Sequence, residues 1–333
     1  MDNGCYMRIL VLLLAMIPAA ALAGGSNYGI KPGAHPQLAG KVSEWPVPTP
    51  RFARDPAVAP DGSVYIAVMS GNKVARFEPK AQTFKEWDLP PGHHPHGVLV
   101  DSQGIVWTTG NGNSTIGRLD PRTGAIREYK TPTDGNGPHT LVITDDGSTI
   151  WFTLQRGDKI GQLDVKSGKI VEYQSSGGPY GIAIDRAGNI WWCRMGDDKL
   201  GRLDPKSGKM SELDMGSGSR PRRVATAPDG SLWVTLFGNG KLVQVDPVAM
   251  KVVKEYQMPG GDAGPYAVTV DGGGMVWANE IDTDTVVRLD PKTGNMRVVK
   301  LPSSNVGIRK MVVDARGRLW YMGSHNGRLG VVE

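Results

Sequence analysis

The chain has 333 residues, with 38 Lys+Arg against 33 Asp+Glu and a formal net charge of +5. The basic residues are dispersed, without a run of five, which argues against a nucleic-acid footprint and at most favours small anions. Two cysteines exclude a disulfide scaffold and a cysteine-based zinc site; 45 Gly and 24 Pro signal many turns and few long helices.

The chain opens with Arg8 and the apolar run Ile9–Ala23, which ends in the small-residue triplet Ala21-Leu22-Ala23 before Gly24. This pattern predicts a signal peptide over 1–23, cut after Ala23. The alternative is an uncleaved anchor, for which fifteen residues are short. Export to the periplasm or the medium follows, and no later stretch is apolar enough to span a membrane. Residues 24–40 read as a flexible leader. Residues 41–333 read as one domain, expected to be a monomer.

From there one motif returns: Pro-x-x-(apolar)-x-(apolar)-Asp-x-x-Gly-x-(apolar)-Trp. It stands at PAVAPDGSVY (56–65), PHGVLVDSQGIVW (95–107), PHTLVITDDGSTIW (138–151), PYGIAIDRAGNIW (179–191), PRRVATAPDGSLW (221–233), PYAVTVDGGGMVW (265–277) and IRKMVVDARGRLW (308–320). The closing aromatics Tyr65, Trp107, Trp151, Trp191, Trp233, Trp277 and Trp320 are spaced by 42, 44, 40, 42, 44 and 43 residues. Seven units share one period.

Each unit carries two apolar runs around the Asp-x-x-Gly turn. A third run follows, such as TIGRLDP (115–121) or KLGRLDP (199–205), and then a Thr-Gly or Ser-Gly turn opens a fourth. Four short strands per unit predict an all-β, seven-bladed propeller of four-stranded antiparallel blades. A helical solenoid is the alternative, but no unit holds a Gly-free segment of helix length. The last unit ends after its third strand, RLGVVE (328–333). KVSEWPV (41–47) supplies the missing fourth, closing the ring with an N-terminal strand.

The unit PHGVLVD…GIVWTTG…STIGRLDP…GAIREY resembles the streptogramin B lyase (virginiamycin B lyase) family over about 41–333. The resemblance implies a magnesium-dependent lyase that opens a cyclic depsipeptide ester by elimination. It also implies a Pro-His at the start of one blade, a Glu-Pro-His at the next, and a further Glu shortly after the second Trp. In the last two blades those positions hold Tyr266, Arg309, Gly307 and Gly323. In the register of the two Pro-His sites the acidic positions are Gly137 and Leu154. The family's Glu/His set is not kept, so a substrate other than streptogramin is expected. Magnesium enters only through the resemblance, and its carboxylate ligands are missing; the metal is otherwise unknown.

The residue after each motif proline begins the innermost strand at one channel mouth. Around the ring these are Ala57, His96, His139, Tyr180, Arg222, Tyr266 and Arg309. Three residues past each aromatic lie Val68, Gly110, Leu154, Arg194, Leu236, Glu280 and Gly323, with Arg54, His94, Arg220 and Gly264 just before the first ring. A packing position would repeat the same residue, as Trp does. The ring varies and gathers His, Arg and Tyr.

The resulting expectation is a site for a small anionic or ester-containing molecule. His96 and His139 would serve as catalytic base and acid if they titrate near neutrality. Arg194, Arg222 and Arg309 would clamp an anion, with Tyr180, Tyr266 and Glu280 as further binding residues. The alternatives are a wet channel lined by solvated groups, or a non-catalytic ligand- or protein-binding propeller. His94, His96 and His139 could converge as three metal-binding nitrogens. The only oxygen-rich candidate for magnesium is Glu280 with Asn279 and Asp282. Cys193 next to Arg194 reads as a buried, inert thiol rather than a nucleophile. The Asp-x-x-Gly segments read as turn chemistry rather than calcium loops.

Overall fold

The computed structural model describes residues 31–34, 40–262 and 264–333. The expected signal segment 1–23 and most of the leader lie outside the described residues. Every helix or strand among them is a strand. They form seven four-stranded antiparallel sheets, which is the seven-bladed propeller the repeat predicts. The innermost strands are Ala53–Val58, Pro95–Val100, Pro138–Ile143, Pro179–Ile184, Pro221–Thr226, Pro265–Val270 and Ile308–Val313. They define blades 1 to 7.

The Asp of the repeat has a double task. In blade 4, Asp185 Oδ1 accepts the N–H of Ala187 and Asn189, each at 2.9 Å. Its Oδ2 accepts Asn189 Nδ2 and the Trp191 indole, each at 2.8 Å. Asp101, Asp271 and Asp314 hold Trp107, Trp277 and Trp320 in the same way. One carboxylate thus closes the turn and fixes the Trp packed between blades. Blades 1, 3 and 5 have Ala59, Thr144 and Ala227 at that position. There the turn is an Asp-Gly-Ser instead, with Asp61, Asp146 and Asp229 accepting the N–H and hydroxyl of Ser63, Ser148 and Ser231.

Blade 7 closes as expected. Val42–Pro46 pairs antiparallel with Arg328–Val332, from Val42↔Val332 to Pro46↔Arg328. Tyr321 donates to Glu44 Oε1 at 2.7 Å, and Trp45 packs on Trp320 and Phe77, joining blade 7 to blade 1.

The start of every innermost strand is bulged. Pro95 pairs with Gly110 but Val98 with Thr108, so one extra residue sits between them; all seven blades share this shift. A bulge re-aims side chains, and here two consecutive residues per blade turn to the channel. In blades 2, 3, 5 and 6 a second-strand side chain secures the bulge. Thr109 Oγ1 accepts Gly97 N and donates to His139 O of the next blade, both at 2.8 Å. Thr153 reaches Tyr180 O, Thr235 reaches Tyr266 O, and Asn279 reaches Ile308 O in the same manner. Blades 1 and 7 have Ala67 and Met322 at this position, and blade 4 has Cys193. Burial pushes its thiol far up, so it is an inert core residue.

Two outcomes are expected from this construction. Asp185→Ala should lower the unfolding free energy by about 3 kcal/mol, by orphaning a buried indole and two amides. Asp229→Ala, at an exposed turn, should cost under about 1 kcal/mol. Cys193→Thr should restore the missing link between Gly181 N and Arg222 O and add about 1 kcal/mol. Urea denaturation midpoints at constant m would check all three.

Candidate functional site: the channel mouth

The inward residues of the seven bulges form two layers. The outer layer is Arg54, His96, His139, Tyr180, Arg222, Tyr266 and Arg309. The expected ring is present in six blades and wrong in the first. Ala53, not Pro56, occupies the strand-start position, pairing with Val68 as Pro95 pairs with Gly110. Arg54 therefore replaces Ala57. Counting eleven residues back from Tyr65 gives Arg54, as it gives His96 from Trp107 and Tyr180 from Trp191. The misplaced proline had set Arg54 just outside the expected ring.

The inner layer holds Asp55, Thr140, Arg223 and Lys310, none of which strand alternation brings to the channel. They meet across the ring. Arg223 Nη1 donates to Thr140 Oγ1 at 2.7 Å, and its Nη2 lies 3.5 Å from Asp55 Oδ1. Lys310 Nζ donates to Val98 O at 3.2 Å and lies 3.9 Å from the other Asp55 oxygen. Burial, opposed by Asp55 and assisted by Arg223, brings Lys310 down to about 7. Arg223 and Lys310 thus share a single carboxylate, Asp55.

In the outer layer the two histidines lie ring against ring, tilted by 37°. The His96 and His139 rings are 3.5 Å apart, and His139 lies 4.0 Å from Tyr180. His96 Nδ1 donates to His139 O at 3.1 Å; a carbonyl only accepts, so Nε2 keeps the lone pair. Burial holds both imidazoles well below their ordinary value, with Arg54 and Arg223 adding to it. At neutral pH both are uncharged. Neither titrates near neutrality, as the expected acid–base pair would require; each keeps one N–H and one lone pair.

The arginines of the outer layer are held by rings rather than by carboxylates. The Arg222 guanidinium is 4.7 Å from the Tyr180 ring, 4.6 Å from Phe237 and 4.5 Å from Tyr266. Arg309 lies over Phe52 and Tyr266, and donates to Tyr266 Oη at 3.2 Å and to His325 Nε2 at 3.1 Å. Arg54 is 6% exposed and lies over Phe52 at 5.0 Å. Among the described residues its Nε and Nη2 have no hydrogen-bond partner, nor do the Nε atoms of Arg222 and Arg309. Buried guanidinium groups in this state attract an anion.

Two expected residues do not join the ring. Arg194 is engaged by Asp197, Glu212 and Ser176. The Glu280 carboxylate accepts Gly260 N at 3.0 and 2.9 Å, and burial raises it. His94 is exposed and faces Met69 O, away from the buried His96, so the three histidines do not converge. No group of three or more His, Cys, Asp or Glu stands at metal-holding distance among the described residues. Magnesium does not fit here: Asp55 faces Arg223 and Lys310, and the site is otherwise cationic. Clefts of 320–510 Å³ open at the other end of the inner strands, between the Asp-x-x-Gly turns of neighbouring blades. They contain no ring residue, so convergence of buried charge, not cleft size, places the candidate site.

A model of the virginiamycin B lyase family matches residues 142–333, more than half of the chain. The chain belongs to that family. A comparison with curated proteins gave no match. Among solved structures, a streptogramin B lyase is 24% identical with a TM-score of 0.81, covering 88% of this chain and 97% of that one. Virginiamycin B lyase from Staphylococcus aureus is 22% identical with a TM-score of 0.81, covering 88% and 99%. Kuenenia stuttgartiensis hydrazine synthase is 16% identical with a TM-score of 0.76, covering 87% and 97%. These likenesses show the fold; the mouth chemistry belongs to this chain.

His93 escaped the sequence reading and is structural. It is fully buried and bonds Glu128 Oε1 at 2.7 Å and Thr108 Oγ1 at 2.8 Å. That hydrogen bond, opposed by burial and helped by Asn113 and Thr115, brings Glu128 from 4.5 down to about 2. A carboxylate lowered on folding contributes stability above its unfolded value, which is lost as pH falls through the folded one. Wild type should therefore lose stability between about pH 4.5 and 2. Glu128→Gln should be less stable at pH 7 and show a flatter acid limb in thermal melts.

Proposed function

We propose that the protein binds a small anionic molecule, bearing a carboxylate, phosphate or sulfate group, at this mouth. The observation that carries the reading is Arg54, buried with two nitrogens unpartnered beside Arg222 and Arg309, which aromatic faces position without neutralising. Forked guanidinium groups match planar or tetrahedral oxyanions. Streptogramin itself is a poor fit, because the acidic positions the resemblance implies hold Gly307 and Gly323. The apolar run ending at Ala23 supports export to the periplasm or the medium.

The test is thermal unfolding in sulfate, phosphate or citrate against chloride at matched ionic strength. An anion at a hundred times its Kd should add about 2.7 kcal/mol of stability. Arg54→Met and Arg222→Met should lose that response, whereas Arg194→Met should keep it. Without anion, Arg54→Met should match or exceed wild type, because it removes an unpaired buried charge. A mouth that responds to none of these anions would sink the reading and turn the search to protein partners.

A second reading, lyase-type elimination on an anionic ester, is favoured by the neutral His96 with a free Nε2 lone pair in a cationic setting. The imidazole would take a proton alpha to a carbonyl, and that electron pair would form the double bond as the C–O bond breaks. The arginines would stabilise the developing enolate. Loss of turnover in His96→Ala/His139→Ala with anion stabilisation intact would support it. Binding without turnover in wild type would leave a binding propeller.

A further inference from the structure

We propose that the mouth takes up its anion together with a proton, which is stored on Tyr266. The inference rests on the anion reading above and adds to it a proton site.

Tyr180 and Tyr266 meet hydroxyl to hydroxyl across the channel, both buried. Arg309 also donates to Tyr266 Oη, so that oxygen faces two donors. Two phenols carry two hydrogens, and only one can lie between them. Among the described residues, the other has no acceptor within reach, because the neighbours of the pair are chiefly guanidinium groups, which only donate. Losing that hydrogen resolves the conflict and places a phenolate among the arginines.

The groups facing Tyr266 come from every neighbouring inner strand. They are Arg54 of blade 1, Tyr180 of blade 4, Arg222 and Arg223 of blade 5, and Arg309 of blade 7. His96 and His139 stand beyond Tyr180 and are neutral. Asp55, the mouth's carboxylate, is opposed to Arg223 and Lys310, and Glu280 on the adjoining strand turns to Gly260. Burial alone would raise the phenol, but Arg54, Arg222, Arg223 and Arg309 outweigh it and bring Tyr266 down to about 7. Burial and the neighbouring phenolate push Tyr180 the other way, keeping it the donor.

An anion arriving at Arg222 and Arg309 cancels the charge that stabilises the phenolate. Tyr266 then takes a proton from solvent: one O–H bond breaks, one forms, and no electrons change hands. By linkage, protonating Tyr266 also strengthens anion binding.

The experiment is a pH titration of tyrosinate absorbance in the near ultraviolet, on wild type, Tyr266→Phe and Tyr180→Phe. Sulfate is the probe, because its charge is constant across the range, with chloride as the ionic-strength control. Wild type should show one tyrosinate transition near neutrality, lost in Tyr266→Phe and moved to higher pH in Tyr180→Phe. Sulfate should move the wild-type transition to higher pH. No neutral transition, or one that survives in Tyr266→Phe, overturns the proposal. Sulfate that stabilises the protein without moving the transition overturns the proton coupling and leaves the anion reading standing. An intact transition with no stabilisation by sulfate overturns the coupling and counts against the anion reading, while the phenolate stands. If Tyr266→Phe fails to fold, the displaced transition in Tyr180→Phe decides.

Discussion

In four of the seven blades one side chain on the second strand, a Thr or an Asn, ties that blade's bulge to the start of the next blade's inner strand. This link fixes two things at once. It sets the spacing between neighbouring inner strands, and it holds the backbone from which the mouth residues project. Thr109, Thr153, Thr235 and Asn279 therefore position His139, Tyr180, Tyr266 and the start of the blade 7 strand without touching any ligand. The mouth inherits the rigidity of the ring rather than of loops.

Charge at the mouth depends on what holds each arginine. Arg194 sits between Asp197 and Glu212, which orient it and also cancel it. Arg222 sits among three aromatic rings, which orient it through their quadrupoles and leave its charge intact. The same residue type thus serves structure at one position and recognition at another. The buried layer below, with Asp55 between Arg223 and Lys310, supplies background positive potential rather than a further contact surface.

The repeat made the fold legible, because Trp and its Asp or Ser turn recur wherever a blade must pack on its neighbour. The outer ring was legible for the same reason, at six of seven positions. Arg54 was placed beside the ring rather than in it because Pro56 imitates the strand-start proline three residues late. Arg223, Lys310 and Asp55 were invisible for a different reason. Strict alternation sends the residue after a ring residue to the other face, and only the bulge sends it inward. Arg194 and Glu280 were found at the correct height. Their neighbours, Asp197 and Gly260, lie in turns whose reach no periodicity encodes.

The seam in blade 7 has a kinetic consequence. Its strand Val42–Pro46 leads the described ring in sequence, yet its partner Arg328–Val332 comes last. Six blades are built from local hairpins, but the ring can lock only after the longest loop in the molecule has closed. Such a contact is costly in chain entropy and forms late. Interactions absent from the transition state chiefly slow unfolding. Trp45 against Trp320 and Phe77 is therefore the latch that sets how long the folded ring survives, as distinct from how stable each blade is.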